Sequence, residues 1–286
     1  MKILILGAKG NLGSQLVQVY SKENDVFAFD REEVDITNQN DIAGKINKLK
    51  PSLIINAAAY NAVDKCEADK NEYKLAMSLN GLAIGYLAKA AIKNKAILIH
   101  YSSDYIFPGD KPEGYIEADQ PKPVNKYGQS KYAGEVEILK YKEKGLKFYL
   151  IRTSKLFGPQ GISEITKPSF FDIILQQAEN KKNIKVVDEE VSLFTYTPDL
   201  ANTTKELVKN KKEYGIYHIT NAGPCTWYQA AKELFKIAKK DIEVIPVTSD
   251  EFPRPAKRPK YSVLLNTKLE PMRDYKEALA EYLKTN

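Results

Sequence analysis

Tyr127 and Lys131 stand four residues apart, the spacing that puts two side chains on one face of a helix. A tyrosine hydroxyl ordinarily gives up its proton at about pH 10, and an ammonium group beside it stabilises the phenolate and lowers that value. Such a pair can hand a proton to an oxygen atom and take it back in the reverse direction. Ser103, in the run Ser102–Tyr105, adds a hydroxyl that can bind the same oxygen and fix its position. The spacing alone is weak evidence in a chain with 18 tyrosines and many lysines. Tyr73, with lysines close by on an expected surface helix, is one chance pair. Tyr127 differs because it follows the serine loop in a chain that opens with a glycine pattern.

Elements with a regular rhythm must hold these groups. Ile3–Leu6, Val26–Phe29, Leu53–Ile55, Ala96–Ile99 and Phe148–Ile151 are short, continuous apolar runs rather than alternating ones. Strands covered on both faces have this pattern, which predicts a parallel sheet between layers of helix. Helical stretches fall between them, at about 12–22, 38–49, 71–94 and 127–144. Asp35 is expected to close a further strand, the third, so that Asn56–Tyr60 ends the fourth and the serine loop follows the fifth. After Arg152 the rhythm loosens at Gly158, Pro159, Gly161 and Pro168. Helices are expected at 169–180, from Pro198, and at 226–239 and 274–284, with strands at Ile184–Val187, Ile216–Ile219 and 242–246 and a proline loop at 253–259. The chain therefore divides into residues 1–155 and a smaller lobe, 156–286, with segments near 184–209 returning to the first part.

Gly7, Gly10 and Gly13 lie directly after the first strand and open the first helix. Glycines there let a pyrophosphate approach main-chain N–H groups, and the helix N-terminus adds partial positive charge. The spacing is G-x-x-G-x-x-G rather than the commoner G-x-G-x-x-G, but the strand before and the helix after supply the context of a dinucleotide site. Its candidate contacts are Gly7, Gly10, Asn11, Leu12, Gly13, Asp30, Arg31, Asp35, Ile36, Ala57, Ala58 and Ala59, together with Tyr127 and Lys131. Asp30 can bind adenosine ribose hydroxyls, whereas Arg31 can pair with a 2′-phosphate. The two cues oppose each other, so the cofactor is read as NADP(H) or NAD(H). Asp35 has a second reading, as an acid at the entry to a helix before Thr37. The fold class is α/β: a Rossmann-type doubly wound parallel sheet with a smaller C-terminal substrate lobe.

Composition excludes other classes. The chain is 43% hydrophobic and 28% charged, as in ordinary globular proteins. No uninterrupted apolar run approaches the roughly 20 residues that span a bilayer, and the apolar N-terminus lacks a cleavage site, so neither membrane nor secretion is expected. Cys66 and Cys225 lack metal-ligand spacing and suit a reduced, cytoplasmic protein; no metal is expected. The net charge of +6 comes from lysines scattered over helix faces, which does not suggest nucleic acid. Its one dense stretch, Arg254–Lys260, is interrupted by proline and suits a phosphate-bearing small molecule.

The glycine turn, the Ser103, Tyr127 and Lys131 trio and the length together resemble the extended short-chain dehydrogenase/reductases, and within them the dTDP-4-dehydrorhamnose reductases. The resemblance runs through Val34–Thr37, Ile55–Glu67, Tyr101–Phe107, Asn125–Lys131, Arg152–Ser154, Gly215–His218 and Arg254–Pro259. It implies hydride transfer from NAD(P)H to the C4 ketone of a nucleotide-linked 6-deoxysugar, dTDP-4-dehydrorhamnose giving dTDP-rhamnose. It implies catalytic roles for Ser103, Tyr127 and Lys131 and places Tyr105, Lys155 and Arg258 against the substrate. Three features depart from the family. Lys155 replaces a tryptophan near the sugar, Asp188–Thr195 replaces an aspartate-glutamine-x-glycine-x-proline-threonine stretch, and Pro108 replaces an aspartate. All three lie on the substrate side. The alternatives are a nucleotide-sugar epimerase or dehydratase that keeps its NAD bound, and a non-catalytic regulatory subunit of the same fold. Tyr105 in place of an acid after Asp104, and the short chain, count against the first. The presence of Ser103, Tyr127 and Lys131 counts against the second. Beyond the nucleotide sugar, a homodimer is the one partnership left open.

Overall fold

Apolar runs and turn residues produce a regular alternation in the first half of the chain. In the computed structural model, which describes residues 1–163 and 166–285, it runs β1 (Lys2–Leu6), α1 (Asn11–Tyr20), β2 (Asp25–Phe29), α2 (Gln39–Leu49) and β3 (Leu53–Asn56). Then come α3 (Val63–Ala68), α4 (Lys70–Ala76), α5 (Ala83–Lys93), β4 (Ile97–Ser103), α6 (Lys126–Leu139) and β5 (Phe148–Thr153). The second half contains β6 (Leu156–Phe157), α7 (Phe170–Gln177), β7 (Asn183–Val187), β8 (Thr195–Tyr196), α8 (Thr197–Lys209), β9 (Gly215–His218), α9 (Trp227–Ala238), β10 (Glu243–Val247) and α10 (Tyr275–Thr285).

Six strands form one parallel sheet in the order β2-β1-β3-β4-β5-β9. Alternate residues of each run face opposite sides, so a continuous apolar strand feeds two cores. Ile3 and Ile5 pack with Leu12, Leu16 and Leu200 on one face, while Leu4 and Leu6 pack with Ile42, Ile46 and Leu87 on the other. The chain winds outward from β1 to β2, then reverses to β3. This leaves a crevice beyond the carboxyl ends of β1 and β3, where ligands of open α/β sheets bind.

Three local differences from the sequence reading bear on the site. No strand ends at Asp35: residues 30–38 form turns, with the N–H groups of Glu33 and Val34 both donating to the Asp30 carbonyl. Val34 and Ile36 fill the core from that turn, which explains their strand-like alternation. The loop bearing Ser103 accordingly follows the fourth strand rather than the fifth.

The helix expected at 71–94 starts earlier and is broken. Asp69 ends α3 and caps α4, its side chain accepting from the N–H groups of Asn71 and Glu72. Wider π-type turns over Met77–Leu82 then join α4 to α5. By length and hydropathy Lys70–Lys93 could cross a bilayer, but 56% of its apolar window is buried inside this domain, as in a core helix. The helix expected at 127–144 stops as α6 at Leu139.

The second half is shared between two bodies. α8 packs on α1 and β9 joins the large sheet, whereas β7, expected to return with them, pairs in parallel with β10. Around β7 and β10 lies a separate aromatic-rich core that includes Phe157, Phe171, Phe194, Tyr196, Leu234 and Tyr275. The loop carrying Lys155 joins the two bodies.

Candidate active site

The glycine turn follows β1. Gly7 adopts φ +71°, and a Cβ there would lie 2.5 Å from the Ala58 nitrogen, so only glycine lets β1 and the end of β3 approach this closely. Gly13 faces Gly7 across the turn, and a Cβ on it would meet the Gly7 carbonyl at 2.0 Å. Gly10 is the N-cap of α1 and supplies no side-chain hydrogen bond to the first turn. In contrast, α2, α4, α6, α7 and α9 all begin with a side-chain cap. The α1 terminus thus keeps N–H groups for an anion, and its glycines leave room for one, as a dinucleotide pyrophosphate requires.

The other cofactor candidates ring this turn. Asp30 accepts the Lys9 N–H at 3.0 Å and the Arg31 N–H at 2.9 Å. Arg31 is largely exposed and lies 3.7 Å from Glu32, which also pairs with Lys9 at 3.0 Å. Asp35 takes both the N–H and the hydroxyl of Thr37, at 2.9 and 2.6 Å, the helix-entry geometry of its second reading. Leu12 and Ile36 are buried in the two cores, so only their main chains are left to meet a ligand. Ala57 and Ala58 lie against Gly7, and Ala59 is half-buried beyond them. Sequence reasoning missed the cover over the turn: Asn11 binds the Gly161 N–H at 2.8 Å, and the Ser163 N–H reaches the Lys9 carbonyl at 3.1 Å.

Ser103 ends β4, and α6 brings Tyr127 and Lys131 beside it. Asn125 caps α6 through the Gly128 N–H at 2.8 Å and binds the Lys257 carbonyl at 2.8 Å, tying the helix entry to the proline loop. Gly128 permits close packing, since a Cβ there would sit 2.1 Å from the Tyr105 carbonyl. Asn80, buried in the π-type turns, accepts the Tyr60 N–H at 2.9 Å and donates to the Tyr60 carbonyl and to Ser130, at 3.0 and 2.9 Å. Ser130 in turn donates to the Tyr127 carbonyl at 2.7 Å. The cofactor edge and the tyrosine helix are therefore locked together by one asparagine, in an irregular segment of the kind common at functional sites.

The electrostatics differ from the sequence expectation. Burial and then the nearby Asp104 carboxylate push the Tyr127 phenol above its usual value, while Ser103 beside it pulls the other way. Lys131 donates to the Tyr101 carbonyl at 2.7 Å. Burial lowers its ammonium to about 8, opposed by Glu135. The Tyr127 hydroxyl donates to Asn61 at 3.3 Å, and Tyr105 meets its ring edge-on at 5.9 Å. Ser103 accepts the Tyr105 N–H at 3.1 Å and donates to Asp104 at 3.0 Å. Asp104 also accepts Ser192 at 3.2 Å, and burial raises its carboxyl.

The substrate candidates lie on the far side of Ser103. Arg258 is held in a two-pronged pair with Asp64, at 2.8 and 2.7 Å, which fastens the proline loop to α3. Next to it, Glu190, Arg254, Lys257 and Arg258 line part of a cavity of about 440 Å³. Lys155 adopts φ +36° and places Nζ 3.7 Å from the centre of the Trp227 ring. Trp227 donates to Glu190 at 2.9 Å, and Arg254 pairs with the same carboxylate. Asp104, Glu190, Trp227 and Arg254 carry no sequence signal as a group, because they come from four separate segments.

Comparison with known proteins agrees with this layout. All of residues 1–286 match the family described as RmlD substrate binding domain. The dTDP-4-dehydrorhamnose reductase of Aggregatibacter actinomycetemcomitans is 36% identical, over 94% of this chain and 92% of that protein. A Streptomyces antibioticus protein named probable dTDP-4,6-dihydroxy-2-methyloxan-3-one 4-ketoreductase is 35% identical, over 98% of this chain and 94% of its own length. The crystal structure of dTDP-4-dehydrorhamnose reductase from Bacillus anthracis in complex with NADP superposes with a TM-score of 0.92 at 34% identity, covering 100% of this chain and 99% of that one. A match of this extent, over a glycine turn and a serine–tyrosine–lysine site in the expected order, makes the chain a member of the RmlD substrate binding domain family.

Proposed function

We propose that this chain is an NAD(P)H-dependent reductase acting on the C4 ketone of a nucleotide-linked 6-deoxysugar, converting dTDP-4-dehydrorhamnose to dTDP-rhamnose. The observation that carries the reading is the meeting of Ser103 and Tyr127 across the sheet edge from an uncapped, glycine-lined helix terminus. In this reading Gly7, Gly10, Asn11, Leu12 and Gly13 hold the pyrophosphate, and Asp30, Arg31, Asp35 and Ile36 border the adenosine. Ala57, Ala58 and Ala59 line the path toward the nicotinamide, which when bound supplies the hydride.

The chain's own groups manage the proton. The Ser103 hydroxyl, which donates to Asp104 in the free protein, turns to donate to the ketone oxygen and fixes it beside Tyr127. A phenol whose proton is held tightly by burial is protonated at neutral pH, as a general acid must be. It releases that proton as negative charge grows on the ketone oxygen. Lys131, anchored on the Tyr101 carbonyl, keeps a positive charge beneath the site and offsets the phenolate that is left. The larger body presents these groups and the smaller one holds the sugar, with Tyr105, Lys155 and the Arg258 loop at the join. The buried free thiols of Cys66 and Cys225 suit a cytoplasmic enzyme.

The test is direct. Purified protein given NADPH or NADH and dTDP-4-dehydrorhamnose should lose absorbance at the nicotinamide band. Tyr127→Phe should still bind cofactor but turn over at least ~100-fold more slowly. Near-normal turnover in that variant removes Tyr127 from the mechanism.

A further inference from the structure

Four charged side chains from four segments are linked through Lys155 and Glu190 at the ring of Trp227. Lys155 lies over it, Glu190 accepts its N–H, Arg254 pairs with Glu190, and Asp104 lies within electrostatic range of Lys155. Three of the four are satisfied. Glu190 has Trp227 and Arg254, Arg254 has Glu190, and Asp104 accepts from Ser103 and Ser192. Lys155 is the exception: its Nζ is sealed from solvent and has no hydrogen-bond partner among the described residues. Leaving a buried donor unpaired costs more than a surface contact recovers, so such a group calls for an explanation.

The backbone adds a second cost. Lys155 sits at φ +36°, a left-handed conformation that a lysine adopts reluctantly, and the Thr195 N–H pins it there through the Lys155 carbonyl at 3.1 Å. Strain of this kind persists where the surroundings fix it, and it clusters at ligand-binding positions. Here the pinned backbone carries the side chain over Trp227 and toward Asp104, the residue that follows Ser103.

Charge identifies what is missing. Lys155 already has Asp104 and Glu190 within electrostatic range, so it needs no further counter-ion. It lacks a hydrogen-bond acceptor. A third carboxylate or a phosphate would add negative charge in a buried setting, which is costly. A neutral hydroxyl oxygen completes it without that penalty.

We propose that Lys155 is a specificity-determining residue whose ammonium donates to a hydroxyl oxygen of the hexose, so that the preferred 4-ketosugar carries a hydroxyl facing Trp227. This rests on the reductase reading above and extends it to a named contact. Recognition then depends on a polar donor at position 155 in place of a flat apolar wall. A sugar without that hydroxyl leaves the buried ammonium unpaired in the complex as well. Sites built to bind a hydroxyl reject analogues that lack it far more strongly than apolar pockets reject an added group.

The experiment uses the full chain, its nicotinamide cofactor and a panel of 4-ketohexoses on one nucleotide, each lacking a single ring or side hydroxyl. In the native protein one deoxy analogue should lose at least ~30-fold in kcat/KM, mostly through KM. In Lys155→Met the same analogue should fall within ~3-fold of its parent, while the other analogues keep their native ranking. Lys155→Gln, which keeps a donor but not the charge, should restore much of the discrimination. Calorimetric titration of the matching nucleotide-linked alcohols should show the same pattern in Kd without turnover. An unchanged ranking across the panel in Lys155→Met, or no recovery in Lys155→Gln, overturns the assignment while leaving the reductase intact. If the native protein reduces no member of the panel, the reductase reading itself fails and the assignment falls with it.

Discussion

Lys131 and Lys155 are both lysines whose ammonium groups burial pulls down to about 8, yet the protein holds them in opposite ways. Lys131 extends from a regular helix capped by Asn125, and its Nζ has a carbonyl partner at 2.7 Å. Lys155 extends from a left-handed residue between two bodies of the fold, and its Nζ has an aromatic ring beneath it and no acceptor among the described residues. On the roles proposed for them, the lysine that does the same thing for every substrate is built into a periodic element with its partner supplied. The lysine that distinguishes one sugar from another sits on irregular backbone and leaves the last bond to the ligand. On that proposal, chemistry and recognition are separated by the kind of structure that carries them.

The sharpest way to break this contrast is to remove the helix-borne lysine. Lys131→Met should lower kcat at least ~100-fold with the sugar KM changed only a few-fold, because the charge it supplies matters most as the proton leaves Tyr127. A loss confined to KM would put Lys131 in the recognition class with Lys155. Next comes the packing that presents the helix. The Cβ of Gly128→Ala would lie 2.1 Å from the Tyr105 carbonyl, so α6 must shift. We expect roughly 1–3 kcal/mol lower stability in a denaturant titration. Turnover should fall by about 10–100-fold as Tyr127 is displaced. Normal kcat with normal stability would mean that the fit of α6 on Tyr105 does not set the catalytic geometry.

Lys155 should show the reverse balance between stability and function. Its value is about 8 in the folded chain against 10.5 when unperturbed, so between those values the unfolded state binds more protons. Stability from this group therefore rises as pH increases through that window, with the full penalty present below pH 8. Lys155→Met should be more stable than the native chain at pH 7, by up to ~3 kcal/mol. The advantage should fade above about pH 10.5. Lys131 titrates in the same window in both proteins, so the difference between them isolates position 155. A variant less stable at pH 7 would show that contact with the Trp227 ring outweighs desolvation.

The same division decided what the sequence disclosed. Strands such as Ile3–Leu6 were legible because both faces are buried, which leaves an unbroken apolar run. Tyr127 and Lys131 were legible because helical spacing is a local property of the chain. The electrostatics were not: Lys131 donates to the Tyr101 carbonyl, and burial, followed by Asp104, raises the Tyr127 phenol, which spacing cannot reveal. Val34 and Ile36 gave a false strand because alternate apolar residues plug a core equally well from a turn. Lys155 and Glu190 at Trp227, with Asp104 and Arg254 beside them, are far apart in sequence, so no periodicity marks them. Lys155 stood out only as a departure from a family pattern, and its role depends on neighbours that folding alone assembles.

Asp35 allows a finer test of the same contrast, since it is an irregular residue proposed to border the cofactor. Its carboxylate accepts the Thr37 hydroxyl at 2.6 Å, a short bond to a charged acceptor, and the Thr37 N–H binds the same oxygen. Thr37→Val removes the hydroxyl but keeps the shape and the backbone bond, so Asp35 should stay in place but turn more freely. Because the pair is solvent-exposed, water takes over much of the lost bond, and the net cost should be at the low end for a hydrogen bond. The expected result is a rise of about two- to five-fold in the cofactor KM with kcat unchanged, read from initial rates at saturating sugar. A matching fall in kcat would mean that the adenosine edge is coupled to the proton-transfer helix. In that case the separation between regular elements that do chemistry and irregular ones that recognise ligands would not hold on this side of the sheet.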